Sequence, residues 1–212
     1  MSVSLSPLYV ICDAEVCAGA GWPLADFASA CLDGGATFLQ IRAKGWSGQA
    51  LLDTTAAVVE LARRAHAIVI VNDRADIARM AGAAGVHVGQ DDLSARAVRD
   101  IVGADALVGL STHTEMQWAS AVAEPVSYVA VGPVFGTQSK ETGYEPLGLD
   151  LVSRAAACTA SRNLPLVAIG GITLGRARAV VAAGARSVAV ISDLLATNDP
   201  TGRVRQFLHE LT

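Results

Sequence analysis

Eight short apolar segments recur along this chain, and most are followed by a longer segment with the spacing of an amphipathic helix. Strands are predicted near residues 8–12, 37–42, 67–72, 85–89, 107–111, 127–132, 165–170 and 187–192. Helices are predicted near 24–33, 48–65, 74–82, 94–101, 114–123, 149–161, 174–183 and 201–211. Strand–helix alternation is typical of a parallel sheet covered by helices. Eight such units in 212 residues fit a small closed (β/α)8 barrel of the TIM type, and we expect one α/β domain spanning residues 1–212.

The composition favours an aliphatic core and excludes several partners. The chain is 52% hydrophobic but only 5% aromatic, which suits buried parallel strands. Its net charge of −4 and the lack of a basic block argue against nucleic-acid or membrane partners. The four cysteines have no zinc-like or redox spacing, and we interpret them as small buried residues of a protein in a reducing cytosol. With no signal-like or membrane-spanning segment in the sequence, we expect a cytoplasmic protein.

Three glycines stand between a predicted helix and the strand that follows it. They are Gly34, Gly82 and Gly184. Glycine adopts the left-handed conformation without steric cost, and this conformation commonly ends a helix. We therefore expect these residues to mark the helix-to-strand turns at the bottom of the barrel, and they give no information about chemistry.

Polar residues recur where the predicted strands end. They are Gln40, Arg42 and Lys44 after the second strand, Asn72 and Asp73 after the third, Asp92 after the fourth, Ser111 and His113 after the fifth, and Thr137, Ser139 and Lys140 after the sixth. The carboxyl ends of parallel barrel strands meet at one rim, where catalytic residues are found. Cations, carboxylates, amides and hydroxyls on one rim indicate a phosphate and metal site.

Strand alternation predicts which of these side chains face the barrel interior. Phe38, Gln40 and Arg42 share one face of the second strand. Arg42 offers a planar fork of donors suited to phosphate, and Lys44 adds a mobile charge beyond the strand end. Two alternatives stay open: Gln40 and Arg42 form an internal hydrogen-bonded pair, or Lys44 is an ordinary solvated lysine.

Asp73 and Asp92 follow neighbouring predicted strands. Two carboxylates brought together without a cation repel each other, whereas Mg²⁺ between them, completed by substrate phosphates, is favourable. The alternative is that each aspartate caps the helix that follows it. We also interpret His87, inside a strand, as a structural histidine, and leave open whether His113, beyond a strand end, is structural or catalytic.

The last two strands and one long loop complete the candidate site. Gly170 and Gly171 end the seventh strand, and Ile191 and Ser192 end the eighth. Loops at these positions of a barrel commonly bind phosphate through backbone N–H groups, although a tight turn without a ligand is the alternative. The longest irregular segment, residues 132–148, is typical of a lid that is mobile when the site is empty and ordered when substrates are bound.

An ordered set of motifs resembles one known family. The motifs are Gln40-Ile41-Arg42-Ala43-Lys44, Val71-Asn72-Asp73-Arg74, Gly85-Val86-His87-Val88-Gly89-Gln90-x-Asp92-Leu93, Gly109-Leu110-Ser111-x-His113, Gly132-Pro133-Val134-Phe135-x-Thr137-x-Ser139-Lys140 and Ala168-Ile169-Gly170-Gly171-Ile172. Together, from Leu8 to about Leu195, the chain resembles the thiamine-phosphate synthase family. The resemblance implies a transferase that joins 4-amino-5-hydroxymethyl-2-methylpyrimidine diphosphate to a thiazole phosphate, giving thiamine phosphate and pyrophosphate.

The resemblance also implies roles for individual residues. The residues that bind the pyrimidine diphosphate are Gln40, Arg42, Lys44, Asn72 and Lys140. The Mg²⁺ ligands are Asp73 and Asp92, and the active-site serine is Ser111. The residues that contact the thiazole phosphate are Thr137, Ser139, Gly171, Ile191 and Ser192. In the implied mechanism, pyrophosphate leaves first, the aminopyrimidine stabilises the carbocation, and the thiazole nitrogen attacks. The catalytic residues are then Arg42, Ser111 and Lys140. Assembly as a homo-oligomer is compatible with the sequence.

Three positions depart from the family pattern, and two other functions compete. Ala43 stands where Glu is common, Ser139 where Thr is usual, and Cys12 where Thr is usual.

The main alternative function is that of a thiazole tautomerase, a related isomerase in which His113 would transfer a proton. The other alternative is a catalytically inactive barrel that carries a thiazole or thiamine phosphate.

Overall fold

The computed structural model describes residues 5–136, 145–146 and 148–212 of the protein. Within them, eight parallel strands form a closed barrel in chain order. The strands are β1 (Leu8–Asp13), β2 (Phe38–Arg42), β3 (Ile68–Asn72), β4 (Gly85–Val88), β5 (Leu107–Thr112), β6 (Tyr128–Val131), β7 (Leu166–Ile169) and β8 (Ser187–Val190). The predicted TIM barrel and all eight predicted strands are confirmed. The barrel closes through parallel pairing of β1 with β8, in which Tyr9 lies opposite Ala189.

Helices follow the strands and cover the outside of the barrel. They are α1 (Ala14–Gly19), α2 (Leu24–Asp33), α3 (Gly48–Arg64), α4 (Ala75–Ala81), α5 (Ala95–Val102), α6 (Glu115–Ala121), α7 (Gly148–Ala160), α8 (Leu174–Ala182) and α9 (Pro200–Leu211), with a short 3₁₀ helix at Ser192–Leu195. The eight predicted helices are confirmed. The sequence did not predict α1 or the 3₁₀ helix, because a segment of six or four residues is too short to show helical periodicity. No helix within the described ranges is long and apolar enough to cross a membrane.

Two layers of buried side chains build the core. The outer layer, between strands and helices, is mostly aliphatic and contains the buried cysteines Cys12, Cys17 and Cys31. The inner layer fills the barrel and concentrates aromatic rings. The ring of Tyr9 stacks on Phe38 at 3.7 Å between centroids, and Tyr128 packs edge-on against both rings. The expected aliphatic core is confirmed for the outer layer, and the inner layer adds these three aromatic rings to mostly aliphatic side chains.

The glycine predictions hold at one turn and fail at another. Gly82 adopts φ 67° and ends α4 in the left-handed conformation, as expected. Gly184 has a positive φ of 108°, which is larger than the φ of about 57° that is typical of the left-handed helical conformation. Gly34 was predicted wrongly: its φ is −73°, and the chain reverses one residue later at Gly35, where φ is 98°. Gly34 is instead packed closely against α9.

Candidate functional site

Two adjoining cavities lie at the carboxyl ends of the strands. The wider one has a volume of about 330 Å³ and is lined by residues that include Ser111, His113, Gly171, Ile191, Ser192 and Asp193. The narrower one, of about 40 Å³, lies among Gln40, Arg42, Asn72, His87, Ser111 and Ile191. Ser111, Ile169, Ala189 and Ile191 line both cavities. The two cavities thus bring together predicted polar residues from the ends of four strands, namely Gln40, Arg42, Asn72, Ser111, His113 and Ser192.

Arg42 faces the barrel interior, as predicted, but its partner was not expected. Its Nη1 donates to Oδ2 of Asp13, at the end of β1, in a short ion pair. Asp13 is 1% exposed and Arg42 13% exposed, so the pair is nearly enclosed. Asp13 also accepts from the backbone N–H groups of Glu15 and Val16 and so caps α1. A guanidinium carries five N–H donors, so Arg42 keeps donors for an anion.

The predicted alternative of a hydrogen-bonded Gln40–Arg42 pair is wrong. Gln40 donates from Nε2 to the hydroxyl of Tyr9 at 2.7 Å. The Tyr9 and Tyr128 hydroxyls lie 3.0 Å apart, and the Tyr128 hydroxyl lies 3.0 Å from Nδ1 of His87. His87 Nε2 is 2.8 Å from Oγ of Ser111. His87 is therefore well satisfied inside the barrel, as expected, yet it also touches a predicted site residue.

Asp73 and Asp92 form an acidic pair at the rim. Burial raises the pKa of the Asp73 carboxyl, and the neighbouring Asp92 raises it further, while Lys44 acts in the opposite direction. Lys44 Nζ lies 3.5 Å from Oδ2 of Asp73, and its side chain is 54% exposed. Lys44 is thus neither deeply buried nor isolated, and its charge offsets only part of the repulsion between the carboxylates.

Neither aspartate caps a helix, so that alternative is wrong. Arg74 occupies the N-cap position of α4, where its side chain makes no capping hydrogen bond, and Ser94 caps α5 by accepting from the Ala97 N–H. Asp92 instead accepts from the Gly89 N–H at 2.7 Å, within its own turn. Asp73 has a positive φ of 62°, which is uncommon for a residue with a side chain and typical of functional positions. The Asp92 carboxylate is therefore oriented by a backbone N–H of its own turn, whereas Lys44 and Asp92 are the partners of the Asp73 carboxylate.

The two aspartates fit a magnesium site in which the protein supplies only part of the coordination shell. Mg²⁺ is commonly held by one or two carboxylates, with water and substrate phosphates completing its coordination. Within residues 5–136, 145–146 and 148–212, no cluster of three or more His, Cys, Asp or Glu side chains could enclose a metal ion by itself. The acidic pair supplies oxygen donors of the right kind and leaves the remaining positions to phosphate and water.

The turn after β7 forms one wall of the wider cavity. Gly170 and Gly171 have φ values of 105° and 60°, which suit glycine. The Gly171 carbonyl accepts from Nη1 of Arg176 at 2.9 Å, and the Arg176 guanidinium lies 4.7 Å from the ring centre of Phe135. Arg176, near the start of α8, therefore contacts both the turn after β7 and the loop after β6.

The 3₁₀ helix after β8 forms the facing wall. Ser192 begins it, and Asp193 follows as its second residue. The Asp193 carboxylate accepts from the Leu174 N–H at 3.2 Å and from Nε and Nη2 of Arg203 on α9 at 3.0 and 2.8 Å. Asp193 and Arg203 are 13% and 16% exposed, so this ion pair is shielded from solvent. The wall is thus fixed to both α8 and α9.

His113 lies beside the wider cavity in a defined orientation. Its Nδ1 is 2.6 Å from the carbonyl oxygen of Gly132. A carbonyl only accepts, so Nδ1 carries the proton. The predicted residues Thr137, Ser139 and Lys140 lie outside the described residues, as does most of the predicted lid.

Comparison with known proteins identifies the family. The family model described as thiamine monophosphate synthase matches residues 8–194. The chain belongs to the thiamine monophosphate synthase family. It is 44% identical over 212 residues to the thiamine-phosphate synthase of Koribacter versatilis, covering 99% of this chain and 97% of that protein. It is 40% identical over 199 residues to the thiamine-phosphate synthase of Laribacter hongkongensis, covering 94% of this chain and 92% of that protein.

A solved structure agrees with both the family and the fold. The thiamine phosphate pyrophosphorylase from Pyrococcus furiosus superposes with a TM-score of 0.86 at 27% identity, covering 96% of this chain and 94% of that one. The resemblance drawn from the motifs is therefore confirmed for the family and for the barrel. Individual residue roles stay predictions.

Two departures from the thiamine monophosphate synthase pattern lie away from the cavities. Cys12 and Ala43 are buried in the outer core layer, between strands and helices. A change of side chain there alters packing behind the site rather than its polar lining. The third departure, Ser139, lies outside the described residues.

Sequence reasoning missed several residues of this thiamine monophosphate synthase site. Tyr9 and Asp13 lie on the interior face of β1, and period-2 alternation along that strand would have found both. Tyr128 could be found in the same way on β6. The contact of Asp193 with Arg203 had no local signal, because the two residues belong to different elements.

Proposed function

We propose that the protein is a thiamine-phosphate synthase. It transfers the (4-amino-2-methylpyrimidin-5-yl)methyl group from 4-amino-5-hydroxymethyl-2-methylpyrimidine diphosphate to the ring nitrogen of a thiazole phosphate, with release of pyrophosphate. The observation that carries the proposal is a pair of cavities that share Ser111 and Ile191. Arg42 lines the narrower cavity, and the walls that contain Gly171 and Ser192 line the wider one. The arrangement suits two substrates that meet at a common boundary.

The narrower cavity suits the pyrimidine end of the first substrate. In this proposal Gln40 and Asn72 bind the aminopyrimidine edge, and Arg42, Lys44 and Lys140 bind the diphosphate. Asp73 and Asp92 would hold Mg²⁺, which would supply positive charge to offset that of the diphosphate. Asp13 holds the guanidinium of Arg42 in a fixed position, so little reorganisation is needed when the leaving group gains charge.

The wider cavity suits the thiazole phosphate. Gly171, Ile191 and Ser192, with Thr137 and Ser139, bind this substrate and orient its ring nitrogen. The C–O bond to the diphosphate breaks, and the oxygen keeps the electron pair. The aminopyrimidine ring stabilises the methylene cation, and the thiazole nitrogen lone pair forms the new C–N bond. No protein nucleophile is required, so positioning and electrostatics supply the rate.

The test is release of pyrophosphate from the two substrates, measured with and without Mg²⁺. We expect release to require both substrates and to stop in excess chelator. Asp73→Asn and Asp92→Asn should each lower the rate by about 100-fold or more, in the range seen when a preorganised charge-stabilising group is removed. Asp91→Asn is the matched control, because this exposed aspartate adjoins Asp92 and should leave the rate unchanged. Full activity in chelator would contradict the proposal.

The same assay separates the synthase from the two alternatives. A tautomerase would isomerise the thiazole phosphate without pyrophosphate release and would depend on His113. A carrier would bind a thiazole phosphate without turnover. The named relatives are synthases, which favours the transferase. We expect His113→Ala to keep most of the pyrophosphate release, and the opposite result would favour the isomerase.

A further inference from the structure

A chain of four hydrogen bonds inside the barrel joins two residues of the proposed substrate site. It runs from Gln40 through Tyr9, Tyr128 and His87 to Ser111. Gln40, Tyr9, Tyr128 and His87 are all buried, at 4%, 1%, 0% and 8% exposure. A buried polar chain of this kind is costly unless each donor meets an acceptor, so the direction of every bond matters.

The direction is set by the amide of Gln40. Its Nε2 only donates, so the Tyr9 oxygen accepts. Within the described residues, the hydroxyl hydrogen of Tyr9 then has one acceptor left, the oxygen of Tyr128. The hydrogen of Tyr128 in turn goes to Nδ1 of His87. Burial raises the pKa of both tyrosines, so each keeps the single hydrogen that this order requires.

The same order of hydrogen bonds fixes the position of the proton on the His87 ring and the direction of the Ser111 hydroxyl hydrogen. Nδ1 of His87 accepts, so the neutral ring carries its proton on Nε2 and donates it to Oγ of Ser111. The hydroxyl hydrogen of Ser111 is then directed away from His87, toward the cavities that Ser111 lines. If the amide of Gln40 turned over, every bond would reverse, and Ser111 would donate to His87 instead of to a ligand.

Gly109 on β5 makes the central contact of the chain possible. A Cβ atom at this position would collide with the ring and hydroxyl of Tyr128 and with Nδ1 of His87. The backbone is therefore close enough to hold these two groups against each other. The contact is a feature of the fold rather than a chance approach of two long side chains.

We propose that Tyr9, Tyr128 and His87 are positioning residues that set the hydroxyl hydrogen of Ser111 according to the amide orientation of Gln40. With Nε2 committed to Tyr9, Gln40 presents Oε1 to the cavity and accepts from an exocyclic amine, which an aminopyrimidine carries. The same state leaves Ser111 as a donor to the departing diphosphate. Recognition of the amine at one end is thereby coupled to stabilisation of the leaving group at the other. This inference rests on the proposed function.

The direct test is the tautomer of His87 in substrate-free protein, measured by ¹⁵N NMR after histidine labelling. The protein has four histidines, and the His87→Asn variant assigns the signal of interest. We expect one tautomer with the proton on Nε2. Tyr9→Phe and Tyr128→Phe should each give a mixture of tautomers, because the chain no longer reaches Gln40. Thr112→Val is the matched control: it removes a buried hydroxyl next to Ser111 that donates to the Ala130 carbonyl and takes no part in the chain.

Kinetics supply the second readout. We expect Tyr9→Phe and Tyr128→Phe to lower kcat by about three- to tenfold each, with KM for the thiazole phosphate unchanged, as for loss of one hydrogen bond. The double variant should be no worse than either single one, because a broken chain cannot be broken again. Thr112→Val should keep both kcat and the tautomer.

Two results would overturn the inference: a proton on Nδ1 of His87 in the unaltered protein, or an unchanged tautomer with additive kinetic losses in the tyrosine variants. The tautomer measurement needs no turnover. Absence of pyrophosphate release would therefore count against the proposed function alone, whereas the wrong tautomer in an active enzyme would count against the hydrogen-bond chain alone.

Discussion

At the scale of single residues, Arg42 has a structural partner as well as a proposed ligand. Asp13 is nearly fully buried, so removing Arg42 leaves a carboxylate in the barrel without its cation. We expect Arg42→Ala to lower the free energy of unfolding by about 3 kcal/mol, because breaking a buried ion pair leaves an uncompensated charge. Urea unfolding measures this loss, and pyrophosphate release at a temperature where the variant is folded measures the loss of activity.

A second substitution separates these two effects. Asp13→Asn in the Arg42→Ala background removes the buried charge and keeps an N-cap for α1. Stability should recover by more than half, while activity should stay low, since the guanidinium is still missing. If activity recovered together with stability, Arg42 would be a structural residue only, and its proposed contact with the diphosphate would be wrong.

The sequence predicted the orientation of Arg42 but not its partner. Alternation along β2 is a local property, and it correctly assigned Phe38, Gln40 and Arg42 to the interior. The pairing of Arg42 with Asp13 depends on the register between β1 and β2, in which these residues lie opposite each other. A single sequence contains no direct record of that register.

At the scale of elements, the 3₁₀ helix after β8 depends on α9 for its position. Arg203 donates two hydrogen bonds to the carboxylate of Asp193 and one to its backbone carbonyl, one residue after the proposed phosphate contact Ser192. We expect Arg203→Met to raise KM for the thiazole phosphate by about tenfold, because loss of this pair lets the wall of the wider cavity shift. KM for the pyrimidine diphosphate should change little. Steady-state kinetics with each substrate varied in turn measures both values.

Arg178→Met is the matched control, because it also removes an arginine from a helix but leaves Asp193 and its partners unchanged. Arg178 on α8 pairs with Glu210 on the surface, and its side chain is 71% exposed. Surface pairs of this kind contribute little to stability, so both KM values should stay unchanged. Equal effects of the two substitutions would show that Arg203 acts through general charge rather than through Asp193.

The elements that the sequence failed to predict are those without periodicity. Strands and helices of the barrel repeat a buried face over several residues, and this pattern was readable from Leu8 to Leu211. Helix α1 and the 3₁₀ helix are short and are fixed by particular contacts, such as Asp13 accepting from two N–H groups of α1. Tertiary contacts decide such elements, and one sequence does not reveal them.

At the scale of the whole molecule, the barrel has one seam, where β8 returns to β1. The two strands pair over Leu8, Tyr9 and Val10. Helix α9 packs against α2, α8 and β1 and so covers this seam. Gly34, at the end of α2, packs directly against α9: a Cβ atom there would lie 2.8 Å from both the Thr201 carbonyl oxygen and Cβ of Val204. The tight contact of α2 with α9 requires the absence of a side chain.

The contact predicts opposite effects for two glycine substitutions. Gly34 and Gly175 both lie in backbone without a positive φ, so alanine meets no conformational penalty at either one. At Gly34 the methyl group forces α9 away from α2, and we expect a loss of about 1–3 kcal/mol in the free energy of unfolding, as for overpacking of a core. At Gly175, in α8, no atom of the described residues lies within 4 Å of the added Cβ, and we expect a gain of about 0.5 kcal/mol.

Urea unfolding of the two alanine variants beside the unaltered protein measures both differences. Gly34 precedes β2 and lies at the amino-terminal end of the barrel strands, away from both cavities. The Gly34→Ala variant should therefore unfold more easily yet retain its rate of pyrophosphate release when folded, because the carboxyl-terminal rim keeps its geometry. A neutral or stabilising Gly34→Ala substitution would mean that α9 moves aside without cost and that its packing on α2 does not hold the seam closed.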